Sequence, residues 1–221
     1  MFSRIISSWD IPKDAPVLDV GSSSGTNLRM LKDMGYSNYS GLDMSDESIR
    51  FCAEKGLGKV DKGDICHLPH EDNHFSLVLA TDIIEHVDDD TLALKELYRI
   101  LTPGGRILLT VPAFMSLWGL QDEVSHHKRR YRKKSLTRSL TSAGIKHDSM
   151  YYFNYILFVP IWAARQIIRL FKIQTESEND INSPLINCVL SYIFRFDALT
   201  AQTINPPFGV SILVTIKKPL L

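Results

Sequence analysis

The sequence has few cysteines and no excess charge of either sign. The first observation bears on disulfides and metal sites, and the second on charged binding partners. Its three cysteines, Cys52, Cys66 and Cys188, are spaced too widely for a metal-ligand or disulfide pattern. We therefore expect free thiols in a reducing compartment. Lysine plus arginine and aspartate plus glutamate number 25 each, so no global field draws nucleic acid or an anionic membrane. Any electrostatic recognition must be local.

Long apolar runs and low-complexity segments are also missing. The longest apolar stretch, Tyr155 to Ala164, is about half of the roughly 20 residues that a membrane-spanning helix needs. The first residues, MFSRIISSWDIPKD, become polar too early for the apolar core of a signal peptide. We expect a cytoplasmic protein, with peripheral membrane contact left open. An ordinary composition without repeats or linkers predicts a single globular domain over residues 1–221.

From Val17 to about Pro112, short apolar runs alternate with amphipathic ones, which is typical of βα units around a parallel sheet. Five strands are predicted there, in PVLDVG, YSGLDMS, KVDKGDI, FSLVLAT and GGRILLTVP, the last of them behind the turn TPGG. Beyond Pro112, a loop leads to a helix near residues 134–143, followed by strands in GIKHDSMYYF and FGVSILVTIKKP. We predict an α/β, Rossmann-like, doubly wound sheet of seven mostly parallel strands with an antiparallel last strand.

The two halves of the chain are expected to have different functions. Residues 17–112 would bind a cofactor, and residues 113–221 would form the substrate side. Two apolar segments, 155–172 and 184–200, flank the polar TESENDINS, and Ser183 before Pro184 is a helix-start pair. They predict a helical insertion at about 154–203, between strands six and seven. A lid, a membrane contact and a dimer surface all stay open as its role.

Polar or small residues follow the first three predicted strands. Gly21 and Gly25 form a turn in which backbone N–H groups can approach a ligand. Asp43 ends the second strand, where a carboxylate can accept from both hydroxyls of a ribose. Asp64 and Ile65 end the third, where they suit an adenine amino group and ring. The glycine turn could also serve a simple chain reversal, and each aspartate could cap the element that follows it. Together, however, these features predict a cofactor site at the carboxyl edge of the sheet.

Four stretches, VLDVGSSSG, YSGLDMS, KGDICHLPHEDNHFSLVLATDIIEHV and LYRILTPGGRILLTVP, resemble successive motifs of class I S-adenosylmethionine-dependent methyltransferases of the type 11-like group. The resemblance covers about residues 17–112 and implies S-adenosylmethionine as cofactor, with S-adenosylhomocysteine as product. It implies contacts with the methionine part from Asp19, Gly21 and Gly25, with the ribose from Asp43, with the adenine from Met44, Asp64 and Ile65, and with the sulfonium region from Thr81 and Asp82.

One residue departs from the family pattern, since Ser23 stands where G-x-G-x-G has its middle glycine. A serine is small enough to be tolerated in this cofactor-binding loop. A nicotinamide cofactor is disfavoured, because G-x-G-x-x-G would need glycines at Ser23 and Thr26. Ser23 and the short lead before the first strand leave open a catalytically silent, cofactor-binding or partner-interaction module.

The stretch GLQDEVSHHKRRYRKKSL resembles a D-x-x-x-H-x-R-R-Y segment found after strand five in methyltransferases with small-molecule, glycan or lipid-like acceptors. The resemblance predicts methylation of an O or N atom, with His126, or else His127, accepting the proton. Arg129 and Arg130 would hold a carboxylate or phosphate, with Tyr131 in the same catalytic group. The alternative is a solvated basic face.

Three further features have local interpretations. Glu85 and His86 follow strand four, where they either line or support the active site or pack a helix start. The acidic residues 88–90 complement a helix dipole. Because they are consecutive, their side chains cannot all face one ion, so we predict no metal requirement. The NPPF at 205–208 is similar to a base-gripping motif of nucleic-acid methyltransferases, but that motif should follow strand four. We interpret it as a turn and do not expect a nucleic-acid substrate.

Overall fold

A computed structural model describes residues 1–171 and 184–220 of the chain. Its strands are β1 (Val17–Val20), β2 (Tyr39–Asp43), β3 (Lys59–Lys62), β4 (Phe75–Thr81), β5 (Leu101–Pro112), β6 (Ser149–Phe153) and β7 (Ser211–Lys217). Within the described residues they form one sheet in the order β3-β2-β1-β4-β5-β7-β6. β1 to β5 pair in parallel, whereas β7 runs antiparallel to β5 and β6. The predicted Rossmann-like sheet with an antiparallel last strand is confirmed.

Helices pack on both faces of this sheet. They are α1 (Phe2–Ser7), α2 (Thr26–Asp33), α3 (Asp46–Glu54), α4 (Asp90–Arg99), α5 (Leu120–Val124), α6 (Lys133–Ser142), α7 (Phe158–Phe171) and α8 (Pro184–Ile204), with a 3-10 helix at Met115–Leu117. Successive residues of a strand point to opposite faces. In β4, Leu77 and Leu79 therefore pack with α1, α2 and α8, while Val78 and Ala80 pack with α4 and α6. Burial on both faces explains why β4 is a continuous apolar run.

The start of β5 differs from the prediction. Leu101 already pairs with Phe75, and regular pairing resumes only between Leu77 and Arg106. The predicted turn TPGG is therefore an irregularity inside the strand at residues 102–105. The predicted loop after β5 likewise contains the 3-10 helix and α5.

The predicted helical insertion contains α7 and α8, and α8 ends at Ile204. Its predicted joining segment, 175–183, lies outside the described residues, as does Lys172. α7 lies against the 3-10 helix region, because Gln166 donates to the Ser116 carbonyl and Arg169 to the Trp118 carbonyl, each at 3.0 Å. Among the described helices, none combines the length and apolar character needed to cross a membrane.

A buried carboxylate on α8 attaches that helix to the end of β6. Asp197 is fully buried. Its oxygens accept hydrogen bonds from the backbone N–H groups of Asn154, Tyr155 and Ile156, at 2.6, 2.5 and 2.9 Å. One side chain thus holds the chain reversal between β6 and α7 and joins it to α8.

We expect Asp197→Ala to lower the free energy of unfolding by about 3 kcal/mol or more, because it leaves three buried N–H donors without their charged acceptor. Chemical denaturation followed by circular dichroism measures the change. The matched control is Asp148→Ala, which removes an exposed carboxylate 3.5 Å from Arg106 and should change stability little. Equal stability of the two variants would show that Asp197 does not hold the insertion.

Candidate functional site

The loop between β1 and α2 requires glycine at two positions. Gly21 has φ 79° and Gly25 has φ 74°, a region that side chains disfavour. A Cβ at Gly21 would lie 2.9 Å from Ile83, and one at Gly25 would lie 2.4 Å from Leu57. Ser23 adopts φ 45° between them, so the loop accommodates the serine that departs from the family pattern.

Asp43 at the end of β2 faces this loop. Its Oδ2 accepts from the backbone N–H of Ser23 at 2.8 Å, and its Oδ1 accepts from that of Ser45 at 2.8 Å. Ser45 caps α3 through its own hydroxyl, which accepts from the N–H of Ser48. Asp43 is therefore not needed as the cap. Each of its oxygens keeps a lone pair for a further donor, as two ribose hydroxyls would require.

An apolar cleft of about 250 Å³ lies on one side of Asp43. Its lining includes Leu42, Met44, Ile65 and Ile83. Met44 is 66% exposed, so it is free to cover one face of a flat ring. The size and apolar walls of this cleft fit an adenine ring.

Asp64 has a local role in the turn after β3. Its Oδ1 accepts from the N–H of Cys66 at 2.9 Å, and its Oδ2 lies 3.6 Å from Nδ1 of His67. The cleft is lined by its neighbours Gly63 and Ile65. The geometry therefore matches the capping alternative for Asp64, and its contact with an adenine amino group stays a prediction.

A second, more polar cleft of about 490 Å³ adjoins the first and shares Gly21, Asp43, Ile83 and His86 with it. The remaining lining residues are Phe2, Ser22, Ser23, Ser24, Thr26, Asn27, Thr81, Asp82 and Ser125. The loop after β1 and the ends of β2 and β4 thus meet at one edge of the sheet, as the sequence predicted. Their combined shape suits a ligand with an apolar end and a charged end.

Asp19 lies behind this polar cleft and is fully buried. Asn27 joins it to β4, since its side-chain amide donates to Oδ1 of Asp19 at 2.9 Å and to the Thr81 hydroxyl at 2.8 Å. Oδ2 of Asp19 has no hydrogen-bond partner among the described residues. Burial raises the pKa of Asp19 to about 7, against a smaller lowering by Asn27. A buried acid with an unpaired oxygen is suited to a cationic ligand such as the ammonium or sulfonium of S-adenosylmethionine.

The sequence did not single out Asn27. The signal available was its place in the first turn of α2, directly after the glycine loop, where a side chain faces the ends of β1 and β4. Thr81 and Asp82 are found where they were expected, at the end of β4 and in the polar cleft. Asp82 has φ 51°. Desolvation is the largest influence on its pKa and raises it.

The basic segment after α5, residues 126–134, is attached to the rest of the fold by internal contacts. Arg130 makes a two-pronged contact with buried Asp122, from Nε at 2.7 Å and Nη2 at 3.0 Å. Burial alone would raise the pKa of Asp122, but Arg130 and the N–H of Gly119 lower it below its usual value. Arg130 is thus engaged in an internal ion pair, and its expected contact with an anion of the acceptor stays a prediction.

Arg129 and Tyr131 also have internal partners. Arg129 donates to the carbonyls of Val87 and Asp88, both at 2.8 Å. The buried Tyr131 hydroxyl donates to Asp90 at 2.9 Å, and burial followed by the charge of Asp90 raises the pKa of Tyr131. These contacts fix the basic segment against the turn after β4, and a catalytic role for the two side chains stays a prediction.

The two histidines of this segment lie in different environments. His126 is exposed with φ 55°, while Ser125 before it lines the polar cleft. His127 is partly buried, and its Nδ1 lies 2.8 Å from Asp122. Its ring meets that of His86 edge to face, with centroids 4.7 Å apart. Of the three histidines, His86 is the one named in the lining of the polar cleft, and a proton-accepting role for His126 or His127 stays a prediction.

The acidic run before α4 divides among separate partners. Asp89 caps the helix by accepting from the N–H of Leu92 at 2.9 Å. Asp90 is buried and bound by Tyr131. Asp88 pairs with Lys128 at the surface. Asp89 thus serves the helix start, whereas Asp88 and Asp90 pair with other side chains, and the absence of a metal requirement in this run stays a prediction.

Comparisons with known proteins agree with this geometry. Residues 18–109 match the model of a family described as a methyltransferase domain. The chain is 29% identical over 143 residues to norajmaline N-methyltransferase of Rauvolfia serpentina, covering 59% of this chain and 48% of that protein. It is 30% identical over 129 residues to demethylmenaquinone methyltransferase of Staphylococcus aureus, covering 53% and 54%. The chain thus spans about half the length of these curated relatives.

Solved structures share the fold over almost the whole chain. A SAM dependent methyltransferase from Archaeoglobus fulgidus superposes with a TM-score of 0.63 at 20% identity, covering 97% of this chain and 90% of that one. At that identity the likeness concerns the fold. It extends beyond the matched family residues into the half that carries the insertion.

Proposed function

We propose that the chain methylates an O or N atom of a small-molecule, glycan or lipid-like acceptor with S-adenosylmethionine as the methyl donor, since residues 18–109 match a methyltransferase-domain family. The observation that carries the proposal is the pair of adjoining clefts at the carboxyl edge of β1, β2 and β4, which share Gly21, Asp43, Ile83 and His86. Ligands of open α/β sheets bind at this edge. Here its apolar and polar parts match the two ends of the cofactor.

Within these clefts each part of the cofactor has residues suited to it. The apolar cleft would hold the adenine between Met44 and Ile65, and Asp43 would accept from the ribose hydroxyls. The polar cleft would hold the methionine part beside Gly21. Asn27 would orient the buried carboxyl of Asp19 there. The loop N–H groups supply further donors for the carboxylate of the methionine part.

When bound, the cofactor supplies a methyl group on a positively charged sulfur. The protein's contribution is mainly alignment, because in-line transfer requires the nucleophile, the carbon and the sulfur to lie on one axis. Asp82, His86 and Ser125 are polar residues that line the polar cleft. They can bind an acceptor that donates hydrogen bonds, which favours a hydroxyl or an amine over a carbon nucleophile.

The two curated relatives support an acceptor of small-molecule type without identifying it. One is named for an N-methylation and the other for demethylmenaquinone. Each is covered only in part by this chain. Their acceptors therefore indicate the class to screen first and leave the identity of the methylated atom to experiment.

Methyl incorporation from labelled S-adenosylmethionine into pools of phenols, amines, glycans and isoprenoid lipids tests this function. We expect label in one pool, with an equal amount of S-adenosylhomocysteine formed. Asp43→Ala should remove most of the incorporation, whereas Asp46→Ala should retain it, because Asp46 pairs with Lys62 at the surface. Tight S-adenosylhomocysteine binding without incorporation into any pool would favour the catalytically silent module instead.

A further inference from the structure

The turn after β4 brings a carboxyl group and two imidazoles together beside the polar cleft. Glu85 and His86 belong to this turn, and His127 follows α5. Ligand atoms of the three residues lie within 4.8 Å of one another. Nε2 of His127 is 3.9 Å from Oε1 of Glu85. Groups separated by some forty residues in sequence thus converge on one small volume.

The carboxyl group of Glu85 has no hydrogen-bond partner among the described residues. Its side chain is fully buried, and neither carboxyl oxygen forms a hydrogen bond within the described part of the chain. Folded proteins rarely leave buried polar atoms unpaired, because desolvation without a partner is costly. A cation held between Glu85 and the imidazoles would satisfy its oxygens.

His127 is already oriented for such a role. Its Nδ1 lies 2.8 Å from Oδ1 of Asp122, which leaves Nε2 on the side of Glu85. Asp122 is itself fixed by Arg130 and by the N–H of Gly119 at 2.8 Å. Histidines that bind metals commonly give their other ring nitrogen to a carboxylate in this way. The Asp122–Arg130 pair would then also keep this imidazole in position.

We propose that Glu85, His86 and His127 bind one first-row transition-metal dication per chain. Two imidazoles and one carboxylate are the ligand set of zinc and non-haem iron sites, whereas magnesium and calcium prefer oxygen alone. Three protein ligands leave a coordination position open. Because His86 lines the polar cleft, and resting on the proposed function, we infer that an oxygen of the acceptor, from a hydroxyl or enol, binds at that position.

Metal titration of the chelator-stripped full chain tests the site, with Zn²⁺ followed by calorimetry and Co²⁺ by its visible absorption. We expect one ion per chain and at least about tenfold weaker binding in both Glu85→Gln and His127→Asn. The matched control is His126→Asn, which removes a neighbouring exposed imidazole and places at φ 55° a residue that tolerates it. This control should bind Zn²⁺ as tightly as the unaltered chain.

Two results would overturn the metal site. One is the absence of Zn²⁺ binding by the folded, metal-free chain, and the other is undiminished binding by whichever of the two ligand variants folds. S-adenosylhomocysteine is titrated into the same samples to separate this test from that of the proposed function. Cofactor binding without Zn²⁺ binding rejects the metal site alone, whereas Zn²⁺ binding without cofactor binding rejects the methyltransferase proposal.

Discussion

Replacing Asp43 by alanine is expected to weaken S-adenosylhomocysteine binding by about 100-fold or more. Two hydrogen bonds from the ribose hydroxyls to a charged acceptor are together worth about 3 kcal/mol, which corresponds to that ratio. The same change leaves the N–H groups of Ser23 and Ser45 without their acceptor, so the glycine loop also loses its attachment to β2. Calorimetric titration of both chains measures the ratio directly.

Two further variants define the origin of that loss. Asp43→Asn keeps one oxygen acceptor and should give an intermediate loss of about tenfold. Asp46→Ala removes a nearby carboxylate that pairs with Lys62 at the surface, and it should leave the affinity unchanged. The proposed position of the ribose would be wrong if Asp43→Ala and Asp46→Ala bound S-adenosylhomocysteine equally well.

Asp19→Asn is expected to stabilise the free protein at neutral pH while weakening its binding of the cofactor. Burial raises the pKa of Asp19 from 3.8 to about 7, so the folded state holds its proton more tightly than the unfolded state does. The free energy of unfolding therefore falls as the pH rises from about 4 to 7 and is then level, a loss of about 4 kcal/mol in total. Asparagine removes this dependence and can still accept from Asn27.

Burial favours the protonated form of Asp19, whereas the bound cofactor should favour the ionised form because the cofactor carries positive charges. Affinity for S-adenosylmethionine is expected to fall by up to about tenfold per pH unit below pH 7 and to be level above it. Denaturation and calorimetry from pH 5 to 8 measure both effects. The difference between the unaltered chain and Asp19→Asn isolates Asp19 from Glu85, whose pKa burial also raises. Parallel stability curves for the two proteins would contradict this account.

The sheet was predictable because the evidence for it is local. β1 and β4 are short apolar runs followed by Gly21 and Asp82, and α2 has an apolar stripe and is followed by Gly35, with φ 82°. The irregularity at residues 102–105 was not predictable. A TPGG sequence usually turns the chain, and only pairing with Phe75 keeps Leu101 in the strand.

The candidate site was likewise predictable only where the evidence in the sequence is local. Asp43 could be identified from its position after a strand, since the carboxyl ends of parallel strands share one edge. The partners of Arg130 could not, because its pairing with Asp122 depends on how the segment folds back over the turn after β4. Asp197 was missed for the same reason. Its role depends on burial against backbone N–H groups more than forty residues earlier in the chain.

The most direct test of the central claim is calorimetric titration of the unaltered chain with S-adenosylhomocysteine, and with NAD as the competing cofactor. The paired clefts and the glycine loop with Ser23 predict one S-adenosylhomocysteine bound per chain and no binding of NAD. Folded protein that binds no S-adenosylhomocysteine, or that binds NAD in its place, would contradict the account.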